Sequence, residues 1–135
     1  MQLQQLSELM QDAAKDAVRY AAEQHQITLD NSLASLVQVD IILSELHQHE
    51  LAQQHSPEMI FTLCSIFGAY IGEVFIAHSG GQWQQNNVDS KAPFIYVQHH
   101  DKEFPFASTC YYKITQDNSV SLKNYVKQAM ANAMQ

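Results

Sequence analysis

The sequence predicts an α+β fold with three N-terminal helices, a small three-stranded antiparallel sheet and a C-terminal helix. Apolar residues recur at helical spacing through residues 1–78. Segments rich in aromatic and β-branched residues then follow one another instead of alternating with helices, which favours an antiparallel sheet. The 135 residues show no repeat or linker and predict a single domain, residues 1–135, with a sizeable core.

Two amphipathic helices are predicted before the most apolar part of the chain. The first covers residues 2–25 and has an apolar stripe at i, i+3, i+4 spacing that includes Leu6 and Met10. The second covers residues 32–49. It follows three residues that suit a helix N-cap, namely Asp30, Asn31 and Ser32. Its apolar face carries one carboxylate, Asp40.

The longest apolar run, residues 56–78, predicts a central buried helix. It begins Ser-Pro-Glu, in which the serine can cap the first turn and the proline replaces an N–H that has no partner. It ends at Gly80 and Gly81, which readily adopt the backbone conformation that terminates helices. Because Glu73 lies well inside the run, a core helix is favoured over a membrane span.

Two glycines within this helix, Gly68 and Gly72, share a face because they are four residues apart. Each costs about 1 kcal/mol in a helix relative to alanine. We therefore expect another backbone to pass close to this face, although glycines that are simply tolerated are the alternative.

The predicted sheet follows the two terminating glycines. Three segments with alternating polarity or a high content of aromatic and β-branched residues are its strands, and they span residues 82–88, 93–97 and 108–115. Residues 89–91 form a predicted turn, and residues 98–106 form a predicted loop. The last helix is predicted over residues 120–134, where apolar residues return to helical spacing.

The formal charge of −7 is distributed unevenly. Residues 1–90 carry 11 acids and 2 bases, whereas residues 91–135 carry 3 acids and 5 bases. This balance disfavours non-specific binding to nucleic acid or anionic membranes, so we expect neither as a partner. The N-terminal residues lack the basic and apolar regions of a signal peptide, and a cytoplasmic location is the corresponding expectation.

Two carboxylates and two thiols lie in apolar segments. Asp40 and Glu73 could form a general acid/base pair, but we favour a structural role in which each accepts hydrogen bonds from backbone N–H groups, Tyr70, Trp83 or a lysine. Cys64 in the central helix and Cys110 in a predicted strand lack metal or redox spacing and are expected to be buried free thiols. A disulfide would require close Cα atoms.

No motif in the chain points to a cofactor, a metal or an enzyme. The seven histidines include His99 and His100 on the predicted loop, which His78 could join, but they lack the spacing of zinc ligands. The Gly-Gly pair follows a helix instead of preceding one, which is the wrong polarity for binding phosphate. With no nucleophile motif present either, the sequence weighs against enzymatic activity.

Aromatic residues are concentrated in and around the predicted sheet. They are Trp83, Tyr96, Phe104, Phe106, Tyr111 and Tyr112. Since side chains alternate across a sheet, about half of those on strands would face the helices. The others would form an exposed aromatic surface beside His99 and His100, where tyrosine and tryptophan favour binding. Packing of all of them in the core is the alternative.

Three short motifs give the chain a family resemblance. They are Asp-x-Ser-x-x-Ser-Leu-x-x-Val-Asp at residues 30–40, Gly-Ala-Tyr-x-Gly-Glu-Val at residues 68–74, and Gly-Gly-x-Trp at residues 80–83. The chain resembles a group of small uncharacterised bacterial proteins over about residues 27–125. The resemblance implies no activity. In size and organisation such proteins are similar to immunity or accessory proteins of bacterial toxin and secretion systems.

These observations lead to three functional hypotheses. The first is a non-enzymatic protein-interaction module, in the form of an immunity or accessory protein with a protein partner. The alternative is a small-molecule-binding or hydrolytic domain with a site around Glu73, Tyr70, Asp40 and Trp83. The third hypothesis is a homo-oligomer, such as a homodimer, formed through the first helix or the sheet edge. The candidate binding residues are Glu73, Tyr70, Asp40, Trp83, Tyr96, His99, His100 and Tyr112.

Overall fold

The computed structural model describes residues 3–51, 55–86 and 94–133. The described residues form five helices and a three-stranded antiparallel sheet, which confirms the α+β class. In chain order the elements are α1 (Leu3–His25), α2 (Leu36–Leu51), α3 (Pro57–Ser79), β1 (Gln82–Asn86), β2 (Phe94–His99), β3 (Lys102–Phe104), α4 (Phe106–Thr115) and α5 (Leu122–Ala133). The predicted turn at residues 89–91 lies outside the described residues.

Helix α3 is the centre of the fold. The Ser56 hydroxyl caps its first turn by accepting a hydrogen bond from the Met59 N–H at 3.1 Å, and Gly80 ends it with a φ of 91°. Helix α1 packs along one side of α3 and α4 packs along another, while α2 and α5 complete the helical layer. The helix therefore contributes buried residues on several sides, as its apolar composition predicts.

Helix α3 is also long and apolar enough to cross a membrane, and it is the one such helix among the described residues. Its most apolar 18-residue window has a mean hydropathy of 1.9, and 61% of that window is buried inside the fold. The core helix of a soluble domain has the same properties, so length and composition are weak grounds for a membrane span.

The sheet packs on the helices through one buried row of side chains. Trp83 on β1 lies opposite Val97 on β2, which in turn lies opposite Phe104 on β3. All three side chains are buried. Strands β2 and β3 are joined by a tight turn in which His100 has a φ of 57°. The alternation along each strand thus places one apolar row against the helices.

The third strand is not the predicted one. Residues 108–115 belong to helix α4, and the predicted loop at residues 98–106 contains the end of β2 and all of β3. The side chains of Phe106, Cys110 and Ile114 are buried at i, i+4, i+8 spacing, whereas Ser108 and Tyr112, which a strand would place on the same face, are exposed. The β-branched and aromatic residues of this segment favour a strand locally, but packing against α3 and α2 stabilises the helix.

Close packing is confirmed at Gly68 but takes another form at Gly72. A Cβ atom added at Gly68 would lie 2.6 Å from the backbone Cα of Ala107, so the α4 backbone does pass next to this glycine. At Gly72 a Cβ would instead collide with the six-membered ring of Trp83. The predicted close approach of another backbone is therefore confirmed at Gly68, whereas the group next to Gly72 is the Trp83 indole ring.

Candidate functional site

The structure brings together two of the predicted binding residues, Glu73 and Trp83. The indole Nε1–H of Trp83 donates a hydrogen bond of 2.9 Å to Oε2 of Glu73. The Trp83 ring is held against Gly72, the residue that precedes this glutamate in α3, because glycine leaves room for it. The half-buried Glu73 is thus fixed by a buried partner, as expected for a carboxylate in an apolar helix.

Glu73 lines two adjoining clefts. The larger, of about 480 Å³, lies between α1 and α3, and its polar lining comes from Gln11, Lys15, Asn31 and Glu73. The smaller, of about 340 Å³, lies where α1, the end of α3 and β1 meet, and it also includes Gln11 and Trp83. Glu73 is therefore the carboxylate at the junction of both clefts.

Asp40 belongs to a different part of the molecule, where it caps helix α5. Its carboxylate accepts hydrogen bonds from the backbone N–H groups of Leu122 at 2.6 Å and Lys123 at 3.1 Å, and the Ser121 hydroxyl lies 3.4 Å away. The buried Lys113 ammonium is 3.9 Å from the same carboxylate. Backbone N–H groups and a lysine of the C-terminal part are the partners expected from the sequence for a structural carboxylate.

Lys113 joins this cap to the loop between α4 and α5. Its side chain is only 3% exposed, and its ammonium donates hydrogen bonds to the backbone carbonyls of Asn118, at 2.8 Å, and Val120. A buried ammonium requires such partners, since an unpaired charge in the interior is costly. Asp40 and Lys113 together therefore attach α5 to α2 and α4.

Tyr70 belongs to a third hydrogen-bonded group, at the start of α2. Its hydroxyl oxygen accepts from the Asn31 N–H at 2.9 Å and lies 2.6 Å from the Ser35 hydroxyl. Because the Ser35 hydroxyl donates to the Ser32 carbonyl, the Tyr70 hydroxyl donates to Ser35. Burial raises the pKa of Tyr70, which keeps this hydroxyl protonated.

The N-cap residues predicted for α2 form a turn ahead of the helix. The Asp30 carboxylate accepts from both the N–H and the hydroxyl of Ser32, at 3.1 and 2.6 Å, and α2 itself begins only at Leu36. These bonds lower the pKa of Asp30. The predicted start at residue 32 is thus four residues early, because serine and aspartate side chains stabilise a local turn as well as a helix end.

The four residues of the predicted small-molecule site therefore do not form one cluster of contacts. Glu73 is hydrogen-bonded to Trp83, while Asp40 and Tyr70 are bonded to other parts of the chain. The residues that share a cleft with Glu73 are instead Gln11, Lys15 and Asn31. Sequence inspection missed this combination because it depends on how α1 lies against α3.

The aromatic residues do not form a continuous surface on the sheet. Three of those predicted in this region, Trp83, Phe104 and Phe106, are buried in the core. Tyr111 and Tyr112 are exposed, but they lie on helix α4. The burial of Trp83, Phe104 and Phe106 agrees with the alternative that these side chains pack in the core, whereas the predicted placement of Tyr111 and Tyr112 on a strand is wrong.

The outer face of β2 retains one exposed aromatic pair. Tyr96 is half-buried and stacks on Phe94 with ring centroids 5.5 Å apart. The two residues are on the same face because they are two apart in a strand. His99 points the other way and contacts the edge of Phe75, and His100 stacks on His99 with centroids 4.3 Å apart.

These histidines therefore belong to a hairpin turn and not to a loop. In the part of the chain that the structure describes, no group of three or more His, Cys, Asp or Glu side chains is placed to hold a metal ion. The Nδ1 of His78 lies 2.9 Å from the Val74 carbonyl of its own helix.

A groove between α3 and α4 is an apolar surface feature that the sequence did not predict. It has a volume of about 220 Å³ and is lined by Phe61, Cys64, Ser65, Ala107, Ser108 and Tyr111. Phe61 is 70% exposed and Tyr111 is 50% exposed. We refer to these six residues as the α3–α4 groove. The sequence did not indicate that Phe61 is exposed, because α3 is apolar nearly all round and its exposed side cannot be told from its buried sides.

Both thiols are buried and free. Loss of hydration raises the pKa of Cys64 to about 12, and burial raises that of Cys110 well above its usual value. Since the thiolate is the nucleophile, both cysteines are protonated and inert near neutral pH, even though Cys64 lines the α3–α4 groove.

We expect both thiols to react with a disulfide reagent at pH 8 only after unfolding. The folded protein should release almost no chromophore, and the protein in denaturant should release two equivalents, or one for Cys64→Ser. Because the folded state holds the Cys64 proton more tightly, the contribution of this thiol to stability should be constant below about pH 9 and should fall as the pH rises towards the folded pKa of about 12. Rapid labelling of the native protein would contradict this assignment.

The sequence matches no family model, and comparison with the curated proteins and with the solved structures likewise finds no match.

Proposed function

We propose that this protein is a non-enzymatic protein-interaction module, whose partner protein docks in the α3–α4 groove. The observation that carries the proposal is the exposure of Phe61, a large apolar side chain that is 70% accessible beside an apolar groove. Single exposed apolar residues are common, but Phe61 and Tyr111 border the same groove. Contiguous exposed apolar surface is typical of interaction sites.

The groove favours a partner with an apolar anchor and a basic rim. Its lining combines the small residues Ser65, Ala107 and Ser108 with the rings of Phe61 and Tyr111, against which a large apolar side chain of the partner would pack. Aromatic residues around a pocket are typical of interaction hot spots. The formal charge of −7 would attract a basic partner and speed its association.

An immunity or accessory protein of a bacterial toxin or secretion system is the specific form of this proposal. Such proteins act by holding another protein, and they need a binding surface but no catalytic group. The separate structural roles of Asp40 and Tyr70 support this reading, because their polar atoms are already engaged within the fold.

The partner is to be identified by cross-linking from the groove itself. A photoreactive phenylalanine analogue at position 61 is expected to cross-link one protein in the native bacterium, and the same analogue at position 9, on α1, should not. The identified partner is then produced and its binding to the purified chain is measured by calorimetry. We expect Phe61→Ser to weaken binding at least tenfold, because it removes an exposed aromatic anchor.

Leu9→Ser is the matched control, since Leu9 is also about half-exposed but lies on α1, away from the groove. Both variants should melt like the parent, because neither side chain is buried. Equal binding by the parent and Phe61→Ser would overturn the proposal. So would a dimer in sedimentation equilibrium that Phe61→Ser converts to a monomer, since the groove would then hold a second copy of this chain.

A further inference from the structure

The larger cleft between α1 and α3 has the composition of a small-ligand site. Its volume of about 480 Å³ lies within the range of small-molecule sites, roughly 300–1,000 Å³. Its apolar lining consists of three small aliphatic side chains, Ala14, Val18 and Ala77, of which Ala14 is buried. A short aliphatic group could therefore be buried there, while the polar residues lie around it.

The anionic side of this cleft is Glu73. Its side chain is oriented by the 2.9 Å bond from Trp83, and a carboxylate has about four acceptor positions, of which this bond uses one. Among the described residues no ion pair includes Glu73. A half-buried carboxylate of this kind binds a cation more strongly than one in bulk water.

The cationic side of the same cleft is Lys15, which approaches from α1. An ammonium group binds carboxylate or phosphate as a point charge with three donors. Asn31 completes the rim, and its backbone is held in place by the hydrogen bond from its N–H to Tyr70. One cleft thus contains an anion, a cation and an apolar lining.

We propose that this cleft binds a small zwitterion with a short aliphatic body, such as a free aliphatic amino acid or a short apolar peptide. The ligand ammonium contacts Glu73, the ligand carboxylate contacts Lys15, and the aliphatic group lies on Ala14, Val18 and Ala77. This site is separate from the α3–α4 groove and does not depend on the proposed protein partner.

The single tryptophan provides a direct readout of this site. Trp83 donates its indole N–H to Glu73, so an ammonium at that carboxylate should change the indole fluorescence. We expect a saturable change with L-leucine or with an alanyl-leucine dipeptide. Leucinamide, which lacks the carboxylate, and 4-methylpentanoate, which lacks the ammonium, should each bind at least tenfold more weakly.

Two charge-removing variants test the roles of the individual residues. Glu73→Gln keeps an oxygen that can accept from Trp83 and should weaken leucine binding at least tenfold, as measured by calorimetry. Lys15→Gln should weaken the binding of leucine but not of leucinamide. Glu8→Gln and Lys123→Gln remove one charge each outside the cleft and should bind leucine like the parent.

The proposal is overturned if neither leucine nor the dipeptide gives a saturable signal at millimolar concentration. It is also overturned if Glu73→Gln binds as tightly as the parent, or if amide shifts on titration map away from α1, α3, Asn31 and Trp83. Because these variants leave Phe61 and Tyr111 intact, partner binding at the α3–α4 groove should be unchanged. A failure here is therefore distinguishable from a failure of the proposed function.

Discussion

Asp40→Ala is expected to lower the free energy of unfolding by about 2–4 kcal/mol, because it removes a charged helix cap and the anion nearest to a buried lysine. The substitution leaves the N–H groups of Leu122 and Lys123 without their acceptor. It also removes the anion nearest to Lys113, whose side chain is only 3% exposed. Urea unfolding followed by Trp83 fluorescence measures the loss.

Two further variants separate the cap from a general effect of charge. Asp12→Ala removes an exposed carboxylate on α1 and should change stability by no more than about 0.5 kcal/mol. Lys113→Met combined with Asp40→Ala should lose less than the sum of the two single changes, because the unpaired ammonium is gone. An Asp40→Ala protein as stable as Asp12→Ala would show that α5 docks without this cap.

Gly72→Leu should destabilise the protein by about 1–3 kcal/mol or more through overpacking. Even the Cβ atom would collide with the ring of Trp83, which cannot move without losing its bond to Glu73. We therefore expect a red shift of the Trp83 emission together with a lower midpoint of urea unfolding. Leucine has a better helix propensity than glycine, and this difference offsets a small part of the packing cost.

Thr62→Leu is the control for Gly72→Leu, since it places a leucine at an exposed position of the same helix that is remote from Trp83. It should leave the Trp83 emission and the unfolding midpoint close to those of the parent. A Gly72→Leu protein that melts like the parent would mean that the indole has another position available. The close packing of β1 on α3 would then be wrong.

The helices that sequence inspection predicts well are those with a long, regular apolar period. The stripe of α1 includes Leu6 and Met10, and both are buried. The start of α3 at Pro57 follows directly from the capping serine before it and the proline itself. Such signals act within one or two turns, so no knowledge of distant residues is needed.

Helix α4 shows where local signals fail. Its β-branched and aromatic residues favour a strand, and strand propensity depends strongly on the surrounding structure. The backbone of Ala107 lies against Gly68 of α3, and this contact spans 39 positions of sequence. This close approach of the α3 and α4 backbones favours a helix over residues 108–115. The local propensities of those residues carry no information about a contact so distant in sequence.

The polar contacts also divide into short-range contacts, which the sequence indicates, and long-range contacts, which it does not. Glu73 and Trp83 lie ten residues apart, and the sequence indicates them as partners. The bond from Leu122 to Asp40 joins residues 82 apart, so nothing local identifies which backbone the carboxylate caps. The pairing of Lys15 with Glu73 in one cleft likewise depends on the packing of α1 against α3.

The sequence by itself determined the α+β class, the central helix with its carboxylate, and the burial of the two thiols, because hydrophobic period and capping residues act over short distances. Only the tertiary structure decided that residues 108–115 are helical, that Asp40 caps α5, and that Phe61 borders an open groove. These outcomes depend on which surfaces meet, and burial against distant residues outweighs the small energies of local preference.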